Sequence, residues 1–206
     1  MKSTRTLDKE KNKSILKSAI TEFNRVGYDA TSMDRIATGA NVSKVTIYKH
    51  FGSKKKLFLS LMNLFKEKLN AYPYIEYSQR KSIRVQLEEF AYLELKILSD
   101  IENMQLSRLA INVLMNKCDV TQETQSIKNN PMIINLIDWF SKAKEDGKLH
   151  FDDVNFVVQQ FNGNIKNFAF YPQLYGAEAL SPSMYDAIVE NAVDIILFLY
   201  NNRKKN

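Results

Sequence analysis

Across 206 residues there is one cysteine, one tryptophan and two histidines, with only four prolines and six glycines. A lone Cys118 forbids an intrachain disulfide, and with His50 and His150 it makes a poor set of metal ligands, so no metal site is expected. The scarcity of Gly and Pro, with no sustained apolar–polar alternation, excludes a turn-rich sheet protein and predicts an all-α chain. Long apolar runs are missing too: Ile195 to Tyr200 comes nearest, far short of the roughly 18 to 20 residues of a membrane span. The opening MKSTRTLDKEKNKS is charged and has no apolar centre, so no secretory signal is expected and the expected location is the cytoplasm. There is no Gly-rich phosphate loop and no Ser–His–acid spacing, so neither an enzyme nor a cofactor is expected.

What is present is concentrated near the start. Residues 1–56 hold 13 Lys/Arg against 5 Asp/Glu, net +8, and the remaining residues hold 16 against 18, net −2. A basic quarter on a mildly acidic remainder suggests a module that meets phosphate. Within it, Met33, Ile36, Ala37 and Ala40 recur at helical spacing, as do Ile47 and Phe51 after a break. Thr31 or Ser32 can cap the first of these helices and Ser43 the second, because a side-chain oxygen there accepts an otherwise orphaned N–H. Between them Asn41 tolerates the left-handed backbone that a tight turn requires, and Val42 fills the angle. The pattern is a helix-turn-helix.

A helix is expected before it, about 9–26, with Ile15, Leu16, Ala19, Ile20 and Phe23 on one face and Gly27 as its stop. A fourth, about 54–70, carries the stripe Leu57, Phe58, Leu61, Met62, Phe65 and Leu69. Further helices are expected near 81–99, 103–116, 132–146, 153–171 and 183–200, with a polar stretch from Asp119 to Asn130. The simplest division is a DNA-binding domain at 1–52 and a larger helical domain at 53–206.

The order and spacing of Phe23, Gly27, Tyr28, Thr31, Ile36, Ala37, Val42, Ser43, Thr46, Tyr48, Phe51, Ser53, Lys54 and Leu57 resemble the TetR family of bacterial transcriptional regulators. Gly147-Lys148-Leu149, Asp152-Asp153, Phe161 and Gly163 resemble one branch of it more loosely. Asn41 departs from the turn glycine usual in the family, and Val45 from a small residue. The resemblance implies a three-helix DNA-binding head on a larger helical ligand-binding and dimerisation body.

With the second helix of the motif in the major groove, Lys44, Val45 and Lys49 are positioned to read base edges. Ser32, Ser43, Thr46, Tyr48, His50 and Lys54 look like phosphate contacts, with core packing an open alternative for Tyr48 and no role an open alternative for His50. Asp34 is expected to pair with a nearby lysine. A homodimer reading two half-sites of double-stranded operator DNA is expected, and the resemblance implies pairing through the last two helices, with Phe161, Ile188, Ala192, Ile195, Ile196 and Leu199 at the interface. The resemblance also implies a pocket for a small apolar or amphipathic inducer, for which Tyr92, Met104, Met115, Trp139, Phe168 and Tyr171 are candidates against ordinary core. The expected function is a dimeric repressor released from its operator by that inducer. The alternative is a DNA-bound adaptor whose C-terminal domain binds a protein.

Overall fold

The computed structural model describes residues 4–116, 118, 120 and 130–201, and every regular element among them is helical. In order these are α1 Thr4–Ala30, α2 Met33–Gly39, α3 Lys44–Phe51, α4 Lys54–Asn70, α5 Ile83–Ser99, α6 Ile101–Asn116, α7 Pro131–Glu145, α8 Val154–Ala169, the single turn α9 Tyr171–Leu174, a 3-10 turn Pro182–Met184, and α10 Tyr185–Tyr200. Most of the expected polar stretch, residues 121–129, lies outside the described residues.

Two compact units result, Met1–Lys68 with Gln105–Lys128 and Leu69–Met104 with Asn129–Asn206. A cut after residue 52 isolates the three-helix motif, but the unit containing that motif also takes in most of α4. The reason is the apolar stripe of α4: Leu57, Phe58 and Leu61 are fully buried, and the Phe58 ring meets Phe23 and Tyr28 edge-on at 6.1 and 5.3 Å.

In the first unit α1 buries Ile15, Ala19, Ile20 and Phe23, the face predicted from spacing. Gly27, at φ 82°, breaks the helical run as expected, and Tyr28 behind it stacks on Phe23 at 5.6 Å. Two serines of α1 hold α2: Ser18 Oγ donates to the Ile36 carbonyl at 2.9 Å and Ser14 Oγ to that of Ala40 at 3.0 Å. The Ala40 carbonyl is at the end of α2, where intrahelical donors run out, and that of Ile36, which also accepts from Ala40 N–H at 2.9 Å, has its second lone pair filled by Ser18. Gly39 makes the approach possible, since a Cβ there would stand 2.4 Å from Ser18 Oγ.

The second unit is built on α5, α7, α8 and α10, around a core centred on Trp139. That indole meets Tyr77, Phe90 and Phe140 edge-on within 5.8 Å, and its Nε1 donates to Gln86 Oε1 at 3.1 Å. The extended segment before α5 is fastened to α7 by Asn135, whose amide exchanges two 2.8 Å hydrogen bonds with the backbone of Ile75. Among the described residues one carboxylate is buried, that of Glu94, with Lys166 Nζ 3.8 Å away. Loss of hydration raises its pKa, against the pull of Lys166.

Candidate nucleic-acid interface

The turn between α2 and α3 forms as its sequence suggests. Asn41 is the one described non-glycine residue with positive φ, at 53°, and Val42 N–H reaches back to the Ala37 carbonyl at 3.0 Å. That bond closes α2 in the manner of a Schellman cap and fixes the direction in which α3 departs. Ser32 caps α2 by accepting from Arg35 N–H at 3.3 Å, and Ser43 caps α3 by accepting from Thr46 N–H at 3.1 Å. Thr31, the other cap candidate, is buried, its hydroxyl donating to the Gly27 carbonyl at 2.6 Å.

Helix α3 has two faces. Ile47 and Phe51 are buried against the unit core, while Lys44, Val45, Tyr48 and Lys49 share the outward side. Val45 is 77% exposed, a high value for an aliphatic side chain at the start of a helix, and Tyr48 is 43% exposed. Lys44 Nζ lies 2.8 and 3.1 Å from the two oxygens of Asp34, and this hydrogen bond raises the lysine pKa above its ordinary value. The expected pairing of Asp34 thus falls on Lys44.

Two expected phosphate contacts are engaged within the unit. Lys54 Nζ donates to the carbonyls of Tyr28, Asp29 and Thr31 at 2.8, 2.9 and 3.2 Å and sits 4.6 Å from the Tyr28 ring centroid. An ammonium has three protons, so this lysine binds the last turn of α1 and the residue that follows it with all of them. The half-buried His50 ring is 3.9 Å from Asp8 of α1. Sequence reasoning missed Ser14 and Ser18, whose only signal is two hydroxyls one turn apart on the otherwise apolar face of α1.

Residues 15–61 match the family model for the bacterial regulatory proteins of the tetR family, and residues 85–202, more than half of the chain, match the AefR-like transcriptional repressor C-terminal domain. The chain belongs to the TetR family. A TetR family transcriptional regulator from Pseudomonas syringae pv. tomato str. DC3000 is 31% identical and superposes with a TM-score of 0.76 over 92% of this chain and 96% of that one. The biofilm operon icaADBC negative transcriptional regulator IcaR of Staphylococcus aureus is 46% identical over 44 residues, 21% of this chain and 24% of the relative. The Bacillus subtilis HTH-type regulator YuxN is 40% identical over 60 residues, 29% of this chain and 21% of the relative. The chain therefore spans about a quarter or less of the length of these curated relatives.

In this TetR-family chain the six expected inducer contacts differ in burial. Trp139 is wholly enclosed in core and Met104 is buried, whereas Met115 is 77% exposed. Phe168 and Tyr171 are exposed, and the exposed Tyr92 hydroxyl donates to Asp186 at 2.6 Å. A cavity of about 130 Å³ lies elsewhere, between Leu69, Tyr72, Pro73, Tyr74, Ile97, Met132 and Asn135. Of the expected interface residues, Phe161, Ile188, Ala192 and Ile196 are buried in the chain's own core, and Ile195 and Leu199 are half-buried. The outward side of α8 and α10 instead carries Phe156, 63% exposed, and Phe198, 83% exposed.

Proposed function

We propose that this TetR-family chain is a repressor that binds its operator as a homodimer and lets go when a small molecule occupies the body. The observation that carries the DNA-reading part is the outward side of the capped helix α3, where Lys44 and Val45 in its first turn and Tyr48 and Lys49 one turn further on stand exposed. Lysines supply donors for guanine, a valine methyl suits a thymine methyl, and the serine and threonine hydroxyls at the cap suit phosphate. Repression is supported by the AefR-like repressor model over the body and by the negative regulation named for the staphylococcal relative. A regulator of this kind acts in the cytoplasm.

Dimerisation falls to the outward side of α8 and α10. Phe156, Ala187, Asn191, Ile195 and Phe198 lie there, and Gly163 has nothing within 4 Å of a built Cβ, so a second helix can approach closely. An exposed apolar surface on the two last long helices is explained by a second copy more simply than by a different protein. For the inducer, the cavity between Tyr72, Tyr74, Ile97 and Met132 is the candidate; at about 130 Å³ it is smaller than an ordinary ligand pocket and holds at most a benzene-sized molecule as it stands. Binding acts by favouring the form of the dimer with the lower operator affinity.

Salt-titrated binding to operator and to random DNA tests the reading. Lys49→Ala is expected to lower operator affinity about tenfold and random-DNA affinity much less, because a base contact carries selectivity and a phosphate contact does not. Equal losses on both DNAs would remove α3 from base readout.

A further inference from the structure

The pairing of Asp34 with Lys44 has no evident structural purpose. Both side chains are well exposed, 63% and 59%, and an ion pair so placed adds little to stability. The α2–α3 turn is already closed by the Asn41 backbone and the Val42 N–H. The carboxylate nevertheless stands at the surface that faces DNA in the reading above, where an unused negative charge is repelled by phosphate.

The pair has the geometry of a base-pair reader. Lys44 Nζ and Asp34 Oδ1 set a donor beside an acceptor at 2.8 Å. In the major groove of a G·C pair, guanine O6 and cytosine N4 set an acceptor beside a donor at about 2.9 Å, the ordinary N–H···O length, because those two atoms are hydrogen-bonded to each other. The protons balance: Lys44 gives one to Asp34 and keeps two for guanine O6 and N7, while Asp34 has lone pairs left for the N4 proton that points into the groove. An A·T pair offers adenine N6 to the carboxylate, but its neighbour N7 is an acceptor and repels it, and the ammonium then meets a single acceptor, O4, beside the thymine methyl.

We propose that Asp34 and Lys44 read one G·C pair of each operator half-site as a unit, the ammonium on the guanine O6–N7 edge and the carboxylate on the cytosine amino group. The proposal rests on α3 being the helix that enters the groove. It makes Asp34 a specificity-determining residue contributed by α2.

The test varies a bound operator half-site one base pair at a time and then, at the G·C step with the strongest preference near the α3 start, replaces cytosine by pyrimidin-2-one, which lacks the N4 amino group. The native chain is expected to lose about tenfold in affinity on that replacement. Asp34→Ala is expected to bind both DNAs within about twofold of each other, and Asp34→Asn, which keeps the side-chain size, serves if the alanine variant folds poorly. Circular dichroism checks the fold of each. Loss of the amino group that weakens the native chain and Asp34→Ala equally would overturn the proposal, as would an Asp34→Ala variant that gains affinity for every sequence with its G·C preference unchanged. Operator selectivity without any G·C step would also overturn it while leaving α3 as a reader. Failure of the native chain to tell operator from random DNA would remove both.

Discussion

Lys54 shows how a side chain suited to one task is committed to another. A lysine at the start of a helix behind a DNA-reading motif looks like a phosphate contact, yet its three protons close three carbonyls at the end of α1 and just beyond it. Lys54→Ala is therefore expected to destabilise the protein by about 2 kcal/mol, lowering Tm by roughly 4–8 °C, as a thermal melt monitored by circular dichroism would measure. Any loss of DNA affinity should then largely disappear at a temperature where the variant is fully folded. Glu94 is the counterpart in the body, a buried carboxylate with raised pKa. Its folded state holds a proton more tightly than the unfolded chain, so stability grows as pH falls through the raised pKa towards the ordinary glutamate value and is lowest above both. Glu94→Gln is expected to raise Tm at neutral pH, with the advantage over the native chain shrinking as pH falls through that window. A variant that melts below the native chain at pH 7 would show that the attraction of Lys166 outweighs lost hydration.

At the scale of the element, the α1–α2 contact is set by Gly39 and Ser18 together. Gly39→Ala alone forces the Ser18 hydroxyl off the Ile36 carbonyl and is expected to destabilise by about 1 kcal/mol. In a Ser18→Ala background the same change is expected to stabilise by roughly 0.5–1 kcal/mol, because alanine is the better helix former once the oxygen is gone. Urea melts of the four proteins give the cycle, and a change of the same sign in both backgrounds would sink the account. This contact was not legible in the sequence, since nothing local to residue 18 says which carbonyl 18 positions away it will meet. The helix-turn-helix was legible because its signals are local: the spacing of Ile36, Ala37, Ile47 and Phe51, the caps Ser32 and Ser43, and the left-handed Asn41. Helix α10 lies between these cases. Its existence is read from its apolar content, but apolar residues on nearly all sides hide that Ile188, Ala192 and Ile196 pack into the chain's own core, among α5 and α8, while Phe198 stands exposed.

At the scale of the whole molecule, the proposed dimer needs the outward side of α8 and α10. Phe198→Asp removes an 83% exposed aromatic without touching the core, so the chain should keep its fold and Tm within a few degrees while sedimenting as a monomer. Operator affinity should fall more than tenfold with it, because one head reads one half-site. A variant that remains dimeric would move the interface elsewhere. The body also carries its own optical reporter. Trp139 is the chain's single tryptophan, sealed among Tyr77, Phe90 and Phe140 and bonded to Gln86, while the unit that holds the helix-turn-helix has none. Tryptophan fluorescence therefore follows loosening of the body alone, whereas far-ultraviolet dichroism follows helices in both units. Comparing the two signals along one denaturation curve separates a titrant that acts on the body from one that acts on the head, with no label attached.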